Sequence, residues 1–219
     1  MPEVNPSVPT GQLVIRRART SDIPAIKALV DTYTGQRMLL AKDTVTLYES
    51  VQEFRVAELA GMVVGCGAVH VLWEDLGEIR TLAVSPERRG HGVGDLLLDE
   101  LVAGARELGL RRLFALTFQT RFFARHGFTE IHGTPVDPEV YSQLRRSYDA
   151  GIAEFLDLEY VKPNTLGNSR MLLTLGGPAP QDRRRAAGNG DRRREVDNGS
   201  RSLNRHVEVE GSRAPHQSQ

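Results

Sequence analysis

The chain has 219 residues, and its 28 Lys and Arg balance 28 Asp and Glu to a formal net charge of zero. That length suits one domain of about 150–200 residues with a proper core, and the charge balance gives no overall field to draw nucleic acid or a membrane. No apolar run approaches the roughly 20 residues that span a bilayer, the N-terminus lacks the segments of a signal peptide, and the single cysteine, Cys66, rules out an internal disulfide and fits a cytoplasmic chain.

Residues 1–12, with three prolines, read as a disordered lead-in. Leu13 to Ala18 is expected as a first strand. Ser21 and Asp22 are placed to cap a helix that tolerates Pro24 in its first turn and carries Ile23, Ile26, Leu29, Val30 and Tyr33 on one face. A connection over Gly35 to Lys42 leads to a short helix from Asp43 to Ser50. Phe54 to Glu58 and Met62 to Val71 are strands joined at Ala60-Gly61, and Leu76 to Val84 is a fourth. Arg112 to Phe118 is a fifth strand and Gln119 to His126 a short helix that Gly127 ends in the left-handed conformation. Phe128 to Ile131 resumes as strand, Pro138 to Tyr148 as helix, and Arg170 to Leu175 as the last strand. Beyond Leu175 composition changes sharply: residues 176–219 hold nine arginines against six acids, a net charge of +3, with many Gly, Asn and Ser, and read as a solvated, disordered tail. The order is that of a mixed α/β domain over residues 13–175, with an antiparallel front and one parallel crossover.

That crossover is the organising stretch, E-I-R-T-L-A-V-S-P-E-R-R-G-H-G-V-G from Glu78 to Gly94, followed by a helix-period segment from Asp95 to Leu108. A strand feeding a glycine turn that opens a helix presents unpaired N–H groups and the positive end of a macrodipole to an anion. Glycines allow close approach and φ > 0, and Arg88 and Arg89 add charge. The spacing is neither a P-loop, since no G-K-[ST] follows, nor a Rossmann fingerprint.

The turn does resemble the [Q/R]-x-x-G-x-[G/A] motif of the GNAT acetyltransferase superfamily, on Arg89, Gly92 and Gly94. Together with R-L-F-A-L-T (112–117), F-F-A-R-H-G-F (122–128) and N-S-R-M-L-L (168–173), it is similar to the acetyltransferase domain of N-acetylglutamate synthases, and most to short stand-alone amino-acid N-acetyltransferases. The resemblance covers residues 13–175 and implies the GNAT fold, an α/β (α+β type) mixed and mostly antiparallel sheet flanked by helices. It implies acetyl-CoA as acetyl donor, bound by Leu82, Ala83, Val84, Arg89, Gly90, His91, Gly92, Val93 and Gly94. It also implies transfer to the α-amino group of L-glutamate, the first step of arginine synthesis in that family.

An ammonium must lose a proton before it attacks a thioester, so the reaction needs a base. On its own residues Glu78 reads as an ordinary exposed strand carboxylate; the resemblance puts it at the position of the family's glutamate base. A backbone N–H near Leu82 or Ala83 would meet the oxyanion. Phe123 stands where many members have a tyrosine acid; the resemblance puts Thr117 at the position of a serine hydroxyl that serves as acid in the synthases, although threonine is also good strand-forming filler. Lys42 aligns with an arginine that binds glutamate, Asn168 and Ser169 with an N-S pair, and Arg80 and Arg170 are further candidate cations. A second family arginine is replaced by Gly167, which leaves glutamate, glutamine and other small amino acids open. Other amines, such as polyamines or protein termini, and a catalytically silent CoA sensor are the rival readings. The histidines lack metal-ligand spacing, so no metal is expected. The expected partners are acetyl-CoA and a small amino acid, with a homodimer left open and no membrane or nucleic acid.

Overall fold

The computed structural model describes residues 11–35, 38–158 and 167–176, so nearly all of the expected lead-in and tail lies outside the described residues. The strands are β1 (Leu13–Arg17), β2 (Phe54–Leu59), β3 (Met62–Trp73), β4 (Leu76–Val84), β5 (Arg112–Thr117), β6 (Thr129–Glu130) and β7 (Ser169–Thr174). They form one sheet in the order β1-β2-β3-β4-β5-β7-β6. The helices are α1 (Ile23–Thr34), α2 (Thr44–Glu49), α3 (Val93–Glu107), α4 (Thr120–Arg125), α5 (Pro138–Leu144) and α6 (Ala150–Phe155). None is long and apolar enough to cross a membrane.

The front of the sheet is an antiparallel meander because its connections are short. Ala60 and Gly61, at φ of 50° and 79°, turn β2 into β3, and β3 returns directly as β4. β5 pairs with β4 in parallel, which a tight turn cannot achieve, and α3 supplies the crossover. One face of α3 (Leu98, Leu101, Val102 and Ala105) packs on Ile79, Leu113 and Ala115. On the opposite face, α1 and α2 cover Phe54, Val56, Cys66, Ala68 and Ala83. α5 and α6 cover the far end of that face over Leu72, Leu76 and Phe114. Cys66 is core, and burial pushes its thiol up to about 12.

Two irregularities shape the centre. Cys66 pairs with Ala83 but Ala68 pairs with Arg80, so Gly67 alone faces both Thr81 and Leu82. This bulge puts Thr81 at φ 58°, a conformation that costs a β-branched residue about 1–3 kcal/mol. Pairing between β4 and β5 then stops: Leu76, Gly77 and Glu78 face Arg112, Leu113 and Phe114, and beyond them the two strands part. β5 continues beside β7 instead, as far as Thr117 opposite Ser169.

Three elements differ from the sequence reading. The strand expected over 128–131 shrinks to Thr129–Glu130, pairing only with β7. The helix expected over 138–148 stops at Leu144, and α6 follows as a separate helix. Tertiary burial makes α6: Phe155 is fully buried and meets the Phe114 ring edge-on at 5.0 Å. Asp22 makes no side-chain cap bond to its own helix; its carboxylate accepts the Arg19 N–H and Arg16 instead.

Candidate active site

Where β4 and β5 part, a cleft of about 1010 Å³ opens. β4 lines it from Glu78 to Val84, the glycine turn closes one end, and the segment from Met38 to Asp43 and residues Tyr148, Asp149 and Gly151 flank it.

The glycine turn is built for an anion. Gly90 and Gly92 both have φ of 77° with open space where a Cβ would stand, so conformation and not crowding demands glycine there. Gly94 is already helical, and a Cβ on it would sit 3.4 Å from the Phe122 ring. Leu96 N–H donates to Gly92 O (3.1 Å), and the Val93, Gly94 and Asp95 N–H groups precede the first intrahelical bond. Asp95 would repel an anion in that first turn. His126 (2.9 Å) and Arg125 (3.0 Å) occupy its carboxylate and hold it below the usual carboxylate range.

Tyr33, legible in the sequence only as a core residue of α1, organises the same end. Its hydroxyl donates to Val84 O and accepts the Arg89 Nε–H at 2.9 Å, while the Arg89 guanidinium lies 4.8 Å over its ring. One phenol thus ties the arginine of the turn to the last residue of β4.

At the other end of the cleft stands Glu78, 3% exposed. Arg80 lies two residues on, on the same face, and its Nε (3.0 Å) and Nη2 (2.6 Å) both donate to Glu78 Oε2. Oε1 accepts no hydrogen bond among the described residues. Burial pushes the Glu78 carboxyl above the usual range, and the charge and hydrogen bonds of Arg80 offset this only in part. Thr117, at the end of β5, accepts the Gln119 N–H on Oγ1 (2.9 Å), which leaves its own O–H to donate into the cleft. Lys42 is half-buried on the cleft wall without an ion pair among the described residues. Asn168 also lines it, and its Oδ1 is buried with no hydrogen-bond partner among the described residues.

Of the residues expected from sequence, Glu78, Thr117, Lys42, Asn168, Leu82, Ala83, Val84, Arg89, Gly90, Gly92 and Gly94 therefore share one cleft. Five other expected residues are placed differently. Arg80 lines the cleft, but its guanidinium is taken by Glu78 and by Asp149, so a substrate carboxylate would have to displace a protein one. Arg170 turns away: it donates to Gly133 O (3.2 Å) and Phe155 O and stacks 5.0 Å over Phe114, so it anchors α6. Ser169 pairs with Thr117 in the sheet without lining the cleft. The Val93 side chain is buried with Leu97 and Val64, so this residue can serve the turn only through its backbone N–H. His91 is exposed and bonded to Arg89 O (2.8 Å), outside the lining.

Known proteins share this fold. The model of the acetyltransferase (GNAT) family matches residues 26–128. An amino-acid acetyltransferase of Mycobacterium tuberculosis is 68% identical over 165 residues, covering 74% of this chain and 94% of that protein. A crystal structure of a Mycobacterium tuberculosis protein in complex with CoA and NLQ superposes with a TM-score of 0.72 at 68% identity, over 74% of this chain and 98% of that one. N-acetylglutamate synthase from Neisseria gonorrhoeae, solved with coenzyme A and N-acetyl-glutamate, gives a TM-score of 0.61 at 28% identity, over 76% of this chain and 36% of that one. A strand that splays beside a buried glutamate, a glycine turn feeding a helix, and identity across nearly the whole of a relative converge on one statement: the chain belongs to the GNAT family of acetyltransferases, in its amino-acid acetyltransferase branch.

Proposed function

We propose that this chain transfers the acetyl group of acetyl-CoA to the α-amino group of L-glutamate. One observation carries the reading: Glu78 lines the cleft at the apex of the β4–β5 splay, with Arg80 on one carboxylate oxygen and no hydrogen bond on the other among the described residues. The glycine turn receives the pyrophosphate on its free N–H groups and on Arg89. The splay lets the edge of β4 hydrogen-bond an extended arm of the donor. Glu78 Oε1 takes a proton from the α-ammonium, directly or through a water. The freed nitrogen forms its bond to the thioester carbon, and a backbone N–H of Leu82 or Ala83 beside the bulge steadies the oxyanion. When the carbon–sulfur bond breaks, the pair of electrons leaves on sulfur, which the Thr117 hydroxyl steadies with a hydrogen bond, and the second proton of the attacking nitrogen passes to the thiolate, directly or through a water, to leave a neutral amide and the CoA thiol. Lys42 holds a substrate carboxylate.

Glutamine is the second reading, and Asn168 favours it: a buried carbonyl oxygen without a partner is satisfied by an amide N–H donor and not by a carboxylate. Turnover of acetyl-CoA measured against the twenty amino acids and several polyamines decides. Glutamate or glutamine should lead, and preference for a polyamine, or no thiol release with any amino acid, overturns the proposal. In the same assay Lys42→Ala should raise the amino-acid KM about tenfold or more, because a charge-assisted hydrogen bond is worth about 1.5–3 kcal/mol and 1.4 kcal/mol is a decade. The acetyl-CoA KM should stay put; equal weakening of both substrates removes Lys42 from the substrate site.

A further inference from the structure

Asp149 lies 69 residues from Arg80 in the chain, yet the two make a forked pair: Arg80 Nη1 donates to Oδ2 (3.0 Å) and Nη2 to Oδ1 (3.1 Å). The same Oδ1 accepts the Ile152 N–H (3.1 Å), so Asp149 also caps α6. α6 is fixed in turn on the strand beside the base: Phe155 packs against Phe114, the β5 residue directly opposite Glu78. Space is reserved for the contact. A Cβ on Gly151 would stand 2.5 Å from Arg80 Nη2, closer than atoms pack. Arg80 is thus clasped between Glu78 and Asp149, with its side chain only 11% exposed.

We propose that Asp149 is a positioning residue for the reaction: it pairs with Arg80 so that the guanidinium can hold Glu78 in place and still let it take a proton. This rests on the reading of Glu78 as the base. An arginine alone beside a buried carboxylate stabilises the anion and makes it a poor proton acceptor. With Asp149 on its other side, Arg80 already has a compensating charge. When Glu78 accepts the substrate proton, a neutral Arg80–Asp149 pair remains, where otherwise a lone buried cation would be left. Asp149 can play that part because it stays ionised: burial works to raise its carboxyl, but the hydrogen bonds and charge of Arg80 outweigh this and keep it below the usual range. The other charges facing Glu78 are His70, its direct neighbour on β3 and itself bonded to Glu53 (2.7 Å), and Arg170 from β7. Neither can carry a negative charge, so neither substitutes for Asp149.

The test uses Asp149→Asn and Asp149→Ser, both of which keep an oxygen to cap α6 and remove the charge. In the full-length protein, the Glu78 carboxyl is titrated by carbon NMR and the pH–rate profile is recorded alongside Glu78→Gln. Both Asp149 variants should lower the Glu78 titration midpoint, and with it the acidic limb of kcat/KM, by about one pH unit or more, and reduce the kcat plateau while acetyl-CoA affinity is kept. An unmoved NMR midpoint in a folded variant overturns the proposal, whatever the activity does. If the midpoint moves but Glu78→Gln keeps the wild-type acidic limb, the electrostatic link stands and the assignment of Glu78 as base falls.

Discussion

Arg16 and Arg80 are each held between two carboxylates, one at the edge of the sheet and the other at its centre. Arg16, on the edge strand β1, contacts Asp22 and Glu58; Arg80, on β4, contacts Glu78 and Asp149. In the edge cluster both oxygens of Asp22 are satisfied, Oδ1 by Arg16 Nη2 (2.9 Å) and Oδ2 by Arg16 Nη1 and the Arg19 N–H (2.7 Å each). Those hydrogen bonds, the Arg16 ones foremost, outweigh its burial and hold its carboxyl below the usual range. In the central cluster only Oε2 of Glu78 is served, the carboxyl is more deeply buried, and the shift has the opposite sign. The same three charged groups make a fastening in one place and, in the proposed mechanism, a proton acceptor in the other. What separates them is the number of donors per oxygen and the depth of burial.

The largest effect that can break this comparison is expected from Glu78→Gln. It should cut kcat about 10²–10⁴-fold at neutral pH, with the loss shrinking as rising pH deprotonates the amine unaided. Thermal stability at pH 7 should not fall, because a carboxyl whose folded pKa is raised stabilises the fold only below its unfolded value near 4.3, and that contribution is lost as pH rises through the folded pKa. A variant that is fully active, or whose melting temperature drops, removes the distinction between the clusters.

Asp22→Asn comes next and should act the other way. It should cost about 1–3 kcal/mol of stability at pH 7 and leave kcat unchanged. Because the folded pKa of Asp22 is depressed, its contribution is present above the unfolded value of about 3.9 and disappears as pH falls through the folded pKa. Wild type and variant should therefore converge in denaturant melts as the pH is lowered below that value; a constant gap would mean that Asp22 acts by shape alone. The smallest effect belongs to Glu58→Gln, the outer partner of Arg16, with its side chain 31% exposed. A pair that open to solvent is worth about 0–1 kcal/mol, and no pH–rate parameter should move. Asp149, the outer partner in the central cluster, is equally exposed at 31% but should shift the pH profile.

These clusters also mark how far the sequence could be read. Glu78, Arg89, Gly90 and Gly92 lie within fifteen residues of one another, in a strand–turn–helix whose geometry is local, and the expected strand of Leu76 to Val84 is the one observed. Gly127 ends α4 at φ 84°, as its position implied. What was not legible depends on contacts between distant residues. Asp149 gains meaning from Arg80, and the Tyr33 hydroxyl from Val84, 51 residues away. α6, with a glycine at its second position, has little helical signal of its own and is held by Phe114. Arg170 was visible as a cation, but which way its long side chain runs is decided by the carbonyls of Gly133 and Phe155.

The bulge at Thr81 bears on how this site stays in alignment. Glycine would adopt φ 58° more cheaply, so the pairing on either side holds Thr81 in a conformation it would otherwise leave. A slip of one residue in β4 would carry Glu78 and Arg80 to the opposite side of the sheet. A slip would also let Thr81, buried and β-branched, relax, so its strain opposes the native register. The pairing of Cys66 with Ala83 and of Ala68 with Arg80 must outweigh that cost of about 1–3 kcal/mol to keep Glu78 and Arg80 on the cleft wall.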